Sequence, residues 1–441
     1  MGTAKASCFG LLSSLVLAAC MVGGPEASDV DLTESAAEPQ CTDRPPGDSA
    51  TCGQQVGWGK CNEPWMAGLC DRSCGRCPGI GTPKEACIDE PLPNDPYSCA
   101  QQAAWGKCDE PWMEGHCQLS CNRCPVSAQL IDPKASKNTR EVMSYLVSTY
   151  REQVLSGQHG LEEAEYMAAL TGKRPAILGL DLMDYSPSRV EHGATSDATE
   201  QAMDWWQHRG GIVTLCWHWN APANLKDPWW EGFYDDGTTF DLGRAMSDPS
   251  STEYQLILRD IDAIAVQLQR LEDAGVPVLW RPIHEASGGV LGAWFWWGDW
   301  GPGPYLSLWR LLYDRLVNHH GLHNLIWVWN GQDPSFYPGD QYVDVVSEDI
   351  YDKWTYNNPQ EKAYLEATRY SKMPKLVALS ETGALPDPKR LLDSQARWSW
   401  FMLWSGDYAT GQSWNDDKMK QSVYTSGFIT TLDELPHLAV E

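Results

Sequence analysis

The 441-residue chain is short of positive charge: 33 lysines and arginines face 59 aspartates and glutamates, for a formal net charge of −26. That balance argues against nucleic acid as a partner, because phosphate backbones demand a basic surface. It also disfavours polyanionic polysaccharides such as pectin, so a neutral substrate fits best. Phenylalanine is scarce too, with 7 copies against 23 tryptophans. Cores are filled mainly by Leu, Ile and Val, so surplus indoles point to work at a surface, where their faces can stack on the C–H faces of sugar rings; roughly half of them are expected to be ordinary core. Past the first twenty residues no stretch is long and apolar enough to span a bilayer. No phosphate-binding glycine loop follows the first strand candidate, which counts against a doubly wound nucleotide-binding sheet. Hydrophobic residues make up 42% of the chain, enough for a sizeable core.

The opening "MGTAKASCFGLLSSLVLAAC" carries a lysine and then a short apolar run, the pattern of a secretory signal over residues 1–20. Its end, Leu17-Ala18-Ala19-Cys20, resembles a bacterial lipoprotein box, which implies cleavage before Cys20, lipidation of its thiol and a membrane anchor at the cell surface or outer membrane. An ordinary signal with an incidental cysteine is the alternative, and would give a secreted protein. Residues 21–40 hold five acids and no base, which suits a solvated tether.

Twelve cysteines form two matching sets, Cys41, Cys52, Cys61, Cys70, Cys74, Cys77 and Cys87, Cys99, Cys108, Cys117, Cys121, Cys124. "WGKCNEPWMAGLCDRSCGRC" aligns with "WGKCDEPWMEGHCQLSCNRC", so residues 41–78 and 86–125 are a duplication. Segments this small cannot build an adequate core, and six cysteines in an exported chain read as three disulfides rather than a zinc site. The pattern resembles the small sea-anemone-toxin-like (ShK-like) domain. That resemblance implies first-to-sixth, second-to-fourth and third-to-fifth pairing, joining Cys41 with Cys77, Cys52 with Cys70 and Cys61 with Cys74; sequence alone permits about fifteen pairings. Each copy repeats two tryptophans, Trp58 and Trp65, then Trp105 and Trp112. Glycan binding is one expectation for these modules, a rigid protease-resistant spacer the other.

From residue 137 to 441 short apolar runs alternate with amphipathic stretches. Strand-like segments are 176–182, 211–219, 276–285, 324–330, 343–351, 375–381 and 400–406, with a weaker one at 153–159. Between them lie helical patterns such as Ile257, Ile261, Ile264, Leu268 and Leu271, spaced 4, 3, 4 and 3. Eight near-continuously apolar strands, each followed by helix-sized sequence, predict an α/β fold, a (β/α)8 TIM barrel. His218, His284, Glu285, Tyr351, Glu381 and Trp404 cluster at the C-terminal ends of these strands, where barrels assemble active sites.

His284-Glu285 does not open an H-E-x-x-H zinc site, because position 288 is glycine and Pro282 is hostile to a helix. No metal and no cofactor are expected. Cleaving a glycosidic bond takes two carboxyls instead, and Glu381 in "ALSETG" ends the seventh strand as Glu285 ends the fourth. Asp181 and Asp349 are competitors, read as supporting groups. Lone Cys216 reads as a buried structural thiol.

"WRPIHEASGG…AWFWWG", "LWRLLYDRLVNHHGLHNLIWVWNGQD" and "LSETG" closely resemble glycoside hydrolase family 26, in particular its bacterial endo-β-1,4-mannanases, over most of residues 137–441. The resemblance implies a retaining mechanism with Glu285 as acid/base and Glu381 as nucleophile, acting on mannan, glucomannan or galactomannan; relatives acting on β-1,3-xylan or mixed-linkage β-glucan keep another glycan open. It also makes His218, His284, Trp294, Trp297, Tyr351 and Trp404 substrate-site residues, Tyr351 as a hydrogen-bond donor to the nucleophile and Trp404 as a platform beneath the reactive sugar. One departure is "GGVL", a longer stretch between "EAS" and "GAWFWWG" than many members show.

Overall fold

The computed structural model describes residues 60, 63–66, 69 and 89–439, apart from 94, 109, 122, 290–291 and 353–356. The expectations for Cys20, for the first cysteine set and for Cys87 lie outside the described residues. Two compact units divide the chain, Met1–Ala86 and Cys87–Glu441.

In the second unit eight strands form one parallel sheet: β1 (Val154–His159), β2 (Ile177–Asp181), β3 (Ile212–Trp217), β4 (Val278–Pro282), β5 (Leu325–Trp329), β6 (Val345–Ile350), β7 (Leu376–Thr382) and β8 (Trp400–Leu403). β1 pairs with β2 along one edge and with β8 along the other, which closes the barrel. The strands are buried on the outer face by the surrounding helices and on the inner face by the side chains that fill the barrel, which is why most of them read as near-continuous apolar runs. A short ninth strand, β9 (Ile429–Thr430), adds to the start of β1, below the point where β2 begins to pair. Two residues give no periodic signal, so the sequence carried no trace of it.

The helix Thr252–Asp273 shows how the pattern becomes structure. Ser251 caps it by accepting from the Tyr254 N–H at 3.1 Å, and the predicted stripe Ile257, Ile261, Ile264, Leu268 and Leu271 is its buried face. Gly275 then takes a φ of 69°, a left-handed turn that glycine adopts without a Cβ clash.

Eleven of the twelve largest fully buried side chains are tryptophans, among them Trp217, Trp280, Trp327, Trp329 and Trp400 on the barrel strands. Indole here fills the space that phenylalanine fills elsewhere.

In the second cysteine set Cys99 is bonded to Cys117 and Cys108 to Cys121, the second-to-fourth and third-to-fifth links; Cys124 is also disulfide-bonded. The Arg151 guanidinium, just before β1, donates to the Cys124 carbonyl at 3.3 Å. A small crevice is shared by Leu119 and Cys124 with Val346, at the start of β6, and Lys375, just before β7. This module therefore sits at the N-terminal end of the strands.

On β6 side chains alternate: Ser347 and Asp349 meet Ser380 of β7 inside the barrel, while the Glu348 carboxylate accepts from the Tyr370 hydroxyl at 2.5 Å. Burial pushes the Glu348 carboxyl up to about 7, Tyr370 pulling the other way. A raised acid binds its proton more tightly in the folded state, so its contribution is full below the ordinary value of 4.5 and is lost as pH rises through about 7. Denaturant titrations at about pH 5 and about pH 8 should show a smaller stability difference in Glu348→Gln than in the native protein.

Candidate active site

The barrel strands end in a cleft of about 580 Å³, lined by groups at or beyond the C-terminal ends of all eight strands. Its floor is a cluster of charge. Arg281, buried on β4, puts one guanidinium nitrogen 2.6 Å from Asp349 of β6 and the other against Glu381 of β7. Glu285 completes the set: one carboxyl oxygen from each of Glu285, Asp349 and Glu381 lies within 4.8 Å of the others. Three acids and one base cannot all stay ionised out of water, so the cluster takes up a proton. Arg281 bonds the other two carboxyls and not Glu285, so Glu285 has the weaker opposition to binding a proton. Burial drives the Glu285 carboxyl well above its usual range, and the charges of Asp349 and Glu381 add to the shift. Burial raises the Asp349 carboxyl as well, with Arg281 opposing.

Glu381 is held from both sides. Arg281 donates to Oε1, and the Tyr351 hydroxyl donates to Oε2 at 2.6 Å. Burial, with the Glu381 charge behind it, pushes the Tyr351 hydroxyl far up, so it remains a donor throughout the working pH range.

Glu285 does not end a strand. β4 stops at Pro282, and Ile283 and Glu285 then adopt φ values of 40° and 51°. Positive φ is costly at a β-branched residue and uncommon at glutamate, so the surroundings must enforce it. The Glu285 N–H donates to the Asn330 carbonyl at 2.7 Å, with the Asn330 side-chain oxygen at 3.1 Å. The Asn330 amide donates to Ser380 at 3.1 Å, and Ser380 in turn donates to Asp349 at 2.6 Å. The acid's backbone is thereby tied to the charge cluster.

His218 follows β3 and gives its Nδ1 proton to Asp181 at 2.6 Å, the role read for Asp181 as a supporting group. Burial disfavours its cation, but Asp181 outweighs that and raises its pKa. His284 Nε2 lies 3.1 Å from His218 Nε2. Burial, with Arg281 and His218 nearby, keeps His284 well below the usual histidine range, so it is the neutral acceptor of the pair. Cys216 is a buried free thiol pushed well up by burial.

The aromatic run after Glu285 divides. Trp294 and Phe295 line the cleft, while Trp296 and Trp297 are buried behind it. The expectation that His284 and Trp297 line the substrate site is corrected here: Trp297 turns inward to donate to the His284 carbonyl at 2.8 Å, and His284 packs against His218. Trp404 does line the cleft, stacked on His159 of β1 with ring centroids 4.0 Å apart.

A family profile described as Glycosyl hydrolase family 26 matches residues 131–434. The chain belongs to glycoside hydrolase family 26. It is 48% identical over 314 residues to the mannan endo-1,4-beta-mannosidase of Thermothelomyces thermophilus, covering 70% of this chain and 64% of that one. It is 34% identical over 321 residues to mannan endo-1,4-beta-mannosidase B of a Piromyces species, covering 70% and 54%. The chain thus spans between half and two thirds of the length of these relatives. Among solved structures it resembles the Podospora anserina GH26-CBM35 beta-(1,4)-mannanase with a TM-score of 0.67 and 46% identity, covering 71% of this chain and 70% of that one. It also resembles a beta-mannanase from a symbiotic protist of the termite Reticulitermes speratus, complexed with gluco-manno-oligosaccharide, with a TM-score of 0.64 and 33% identity over 71% of this chain and 98% of that one.

Within this family 26 barrel several cleft residues escaped the sequence reading. Arg281 had a signal, a lone charge inside an apolar strand four residues before Glu285. His159 sits on the strand with the weakest pattern. Phe233 and Tyr234 come from the irregular segment after β3, whose Tyr234 bridges to Phe295; nothing periodic marks them. Arg281→Met leaves two buried carboxylates without their cation and should cost about 3–5 kcal/mol of folding stability, read from the denaturation midpoint at neutral pH.

Proposed function

We propose that this family 26 chain is a retaining endo-β-1,4-mannanase, with Glu381 as nucleophile and Glu285 as acid/base. The observation that carries the reading is the unequal treatment of two facing carboxyls: Glu381 is bonded by Arg281 and Tyr351, while Glu285 is desolvated and has no arginine. Glu381 attacks the anomeric carbon as Glu285 passes its proton to the departing glycosidic oxygen. Water, deprotonated by the now anionic Glu285, then cleaves the glycosyl ester from the same face, so configuration is retained. The closeness of the two carboxyls supports this course, which needs a separation of about 5–5.5 Å rather than the wider gap of inverting enzymes. Trp404 is the platform for the sugar bonded to Glu381, and His218, its two ring nitrogens engaged by Asp181 and His284, is a fixed wall of that subsite. Mannan as substrate rests on the names of the relatives, two of which are mannan endo-1,4-beta-mannosidases.

The reading extends to the whole chain: export under the signal at residues 1–20, a lipid anchor at Cys20 and a cell-surface site reached through the 21–40 tether. Residues 41–78 and 86–125 are ShK-like modules that bind glycan, and residues 137–441 are the catalytic barrel. Trp65 is 51% exposed, and Trp105 and Trp112 are 52% and 46% exposed, which supports a glycan-facing role.

Glu381→Ala should release no reducing sugar from glucomannan. Glu285→Ala should lose about 10²–10⁴-fold on polysaccharide yet keep much of its glycosylation rate on a dinitrophenyl glycoside, whose leaving group needs no proton. Equal losses on both substrates would overturn the assignment, and a panel with β-1,3-xylan and mixed-linkage glucan tests the choice of glycan. In the inactive Glu381→Ala background, Trp105→Ala with Trp112→Ala should weaken retention of the full chain on insoluble mannan; unchanged retention sinks the binding role.

A further inference from the structure

Just beyond Glu285 two glycines pair across the chain in a way that no strand pattern foretold. Gly289 and Gly292 exchange two backbone hydrogen bonds, at 3.1 and 3.0 Å. Gly288 has a φ of 63°, and its N–H donates to the Glu285 carbonyl at 3.0 Å. A Cβ on Gly288 would lie 2.1 Å from the Gly292 carbonyl oxygen, so the turn closes only with glycine there. Gly289 presents its bare face to Trp294: a Cβ added there would sit 2.8 Å from the indole Cζ3. From the other direction the Asp235 N–H donates to the Trp294 carbonyl at 3.0 Å, and Tyr234 bridges to Phe295. The indole thus lies against Gly289, the Trp294 backbone is fixed by the segment after β3, and the Nε1–H donates to Glu285 Oε2 at 2.7 Å.

We infer that the turn at Gly288 and Gly289, bonded to Gly292, is a clamp that fixes the Trp294 indole on Glu285, making Gly289 and Trp294 positioning residues for proton delivery. With Oε2 engaged by the indole, Oε1 is the oxygen that presents the proton to the leaving group. The same N–H favours the carboxylate that must act as base in the second step. It works against Asp349 of β6 and Glu381 of β7, whose charges oppose ionisation of Glu285, and alongside Arg281 of β4; Tyr351 and Tyr234 face the same carboxyl as neutral hydroxyls. This inference rests on Glu285 being the acid/base.

The test is a double-mutant cycle of Gly289→Val and Trp294→Phe in the full chain. Gly289→Val should lower kcat/KM on glucomannan by ~10-fold or more, a part of what general acid catalysis supplies, and leave glycosylation by a dinitrophenyl β-mannobioside near the native rate. In the Trp294→Phe background it should add little, since the indole it displaces is already gone. Trp294→Phe removes a donor to the anion, so the alkaline limb of kcat/KM should move to higher pH. Additive losses would overturn the clamp whatever Glu285 does. Coupled losses that fall equally on both substrates would show that the clamp does not act through Glu285's proton. Should the valine variant fold poorly, Gly289→Ala carries the same Cβ contact with less bulk.

Discussion

A single buried guanidinium holds the mouth of this barrel together. Arg281 starts on β4 and reaches acids on β6 and β7, so one side chain spans half of the strand ends. Taking a cation and two anions out of water is expensive, and the pairing returns that cost only where geometry and further hydrogen bonds are good. Here they are: Ser380 and Tyr351 supply donors to the same carboxylates. The arrangement also decides chemistry. A planar fork serves two carboxylates at once, and the third, Glu285, is left to keep its proton. Glu285 and Glu381 are thereby told apart by what Arg281 touches, although both are glutamates buried in one cleft.

The second constraint is on the backbone. Ile283 and Glu285 lie at positive φ, and the polar chain from Asn330 through Ser380 to Asp349 fastens that strained end to the charge cluster. Strain of this kind persists only where its surroundings over-determine it. It explains where the sequence reading ran short. All eight barrel strands were legible, because parallel strands covered on both faces are long apolar runs. The end of β4 was not: "VLWRPIHE" continues the apolar pattern through Ile283, and composition does not register a sign change in φ.

The aromatic residues show the same limit differently. A strand or helix has a period that assigns each side chain to a face; "AWFWWG" lies in an irregular loop and has none. Trp294 and Phe295 turn to the cleft, and Trp296 and Trp297 to the core, for reasons set by partners far away in sequence. Trp296 donates to the Trp219 carbonyl, 77 residues earlier. Surplus tryptophan was read as half surface and half core, and the largest indoles among the described residues are core. The glutamates were singled out by motif and by nearness to strand ends, although Glu285 lies three residues past β4; Arg281 and His159 required the barrel to close before their neighbours were known.

The position of the second cysteine module follows from this division of the barrel. In such folds the C-terminal strand ends carry chemistry and the N-terminal ends carry stability. Cys124 meets the barrel through Arg151, ahead of β1, and close to Lys375, ahead of β7, at the end opposite Glu285 and Glu381. None of the described residues of that module lines the cleft. Any hold it has on a glycan therefore acts on where the enzyme resides, not on which bond it breaks. A loss of retention and a loss of turnover must then arise from separate substitutions, with Trp105 and Trp112 on one side of the ledger and the glycine clamp, the indole and the Arg281 cluster on the other.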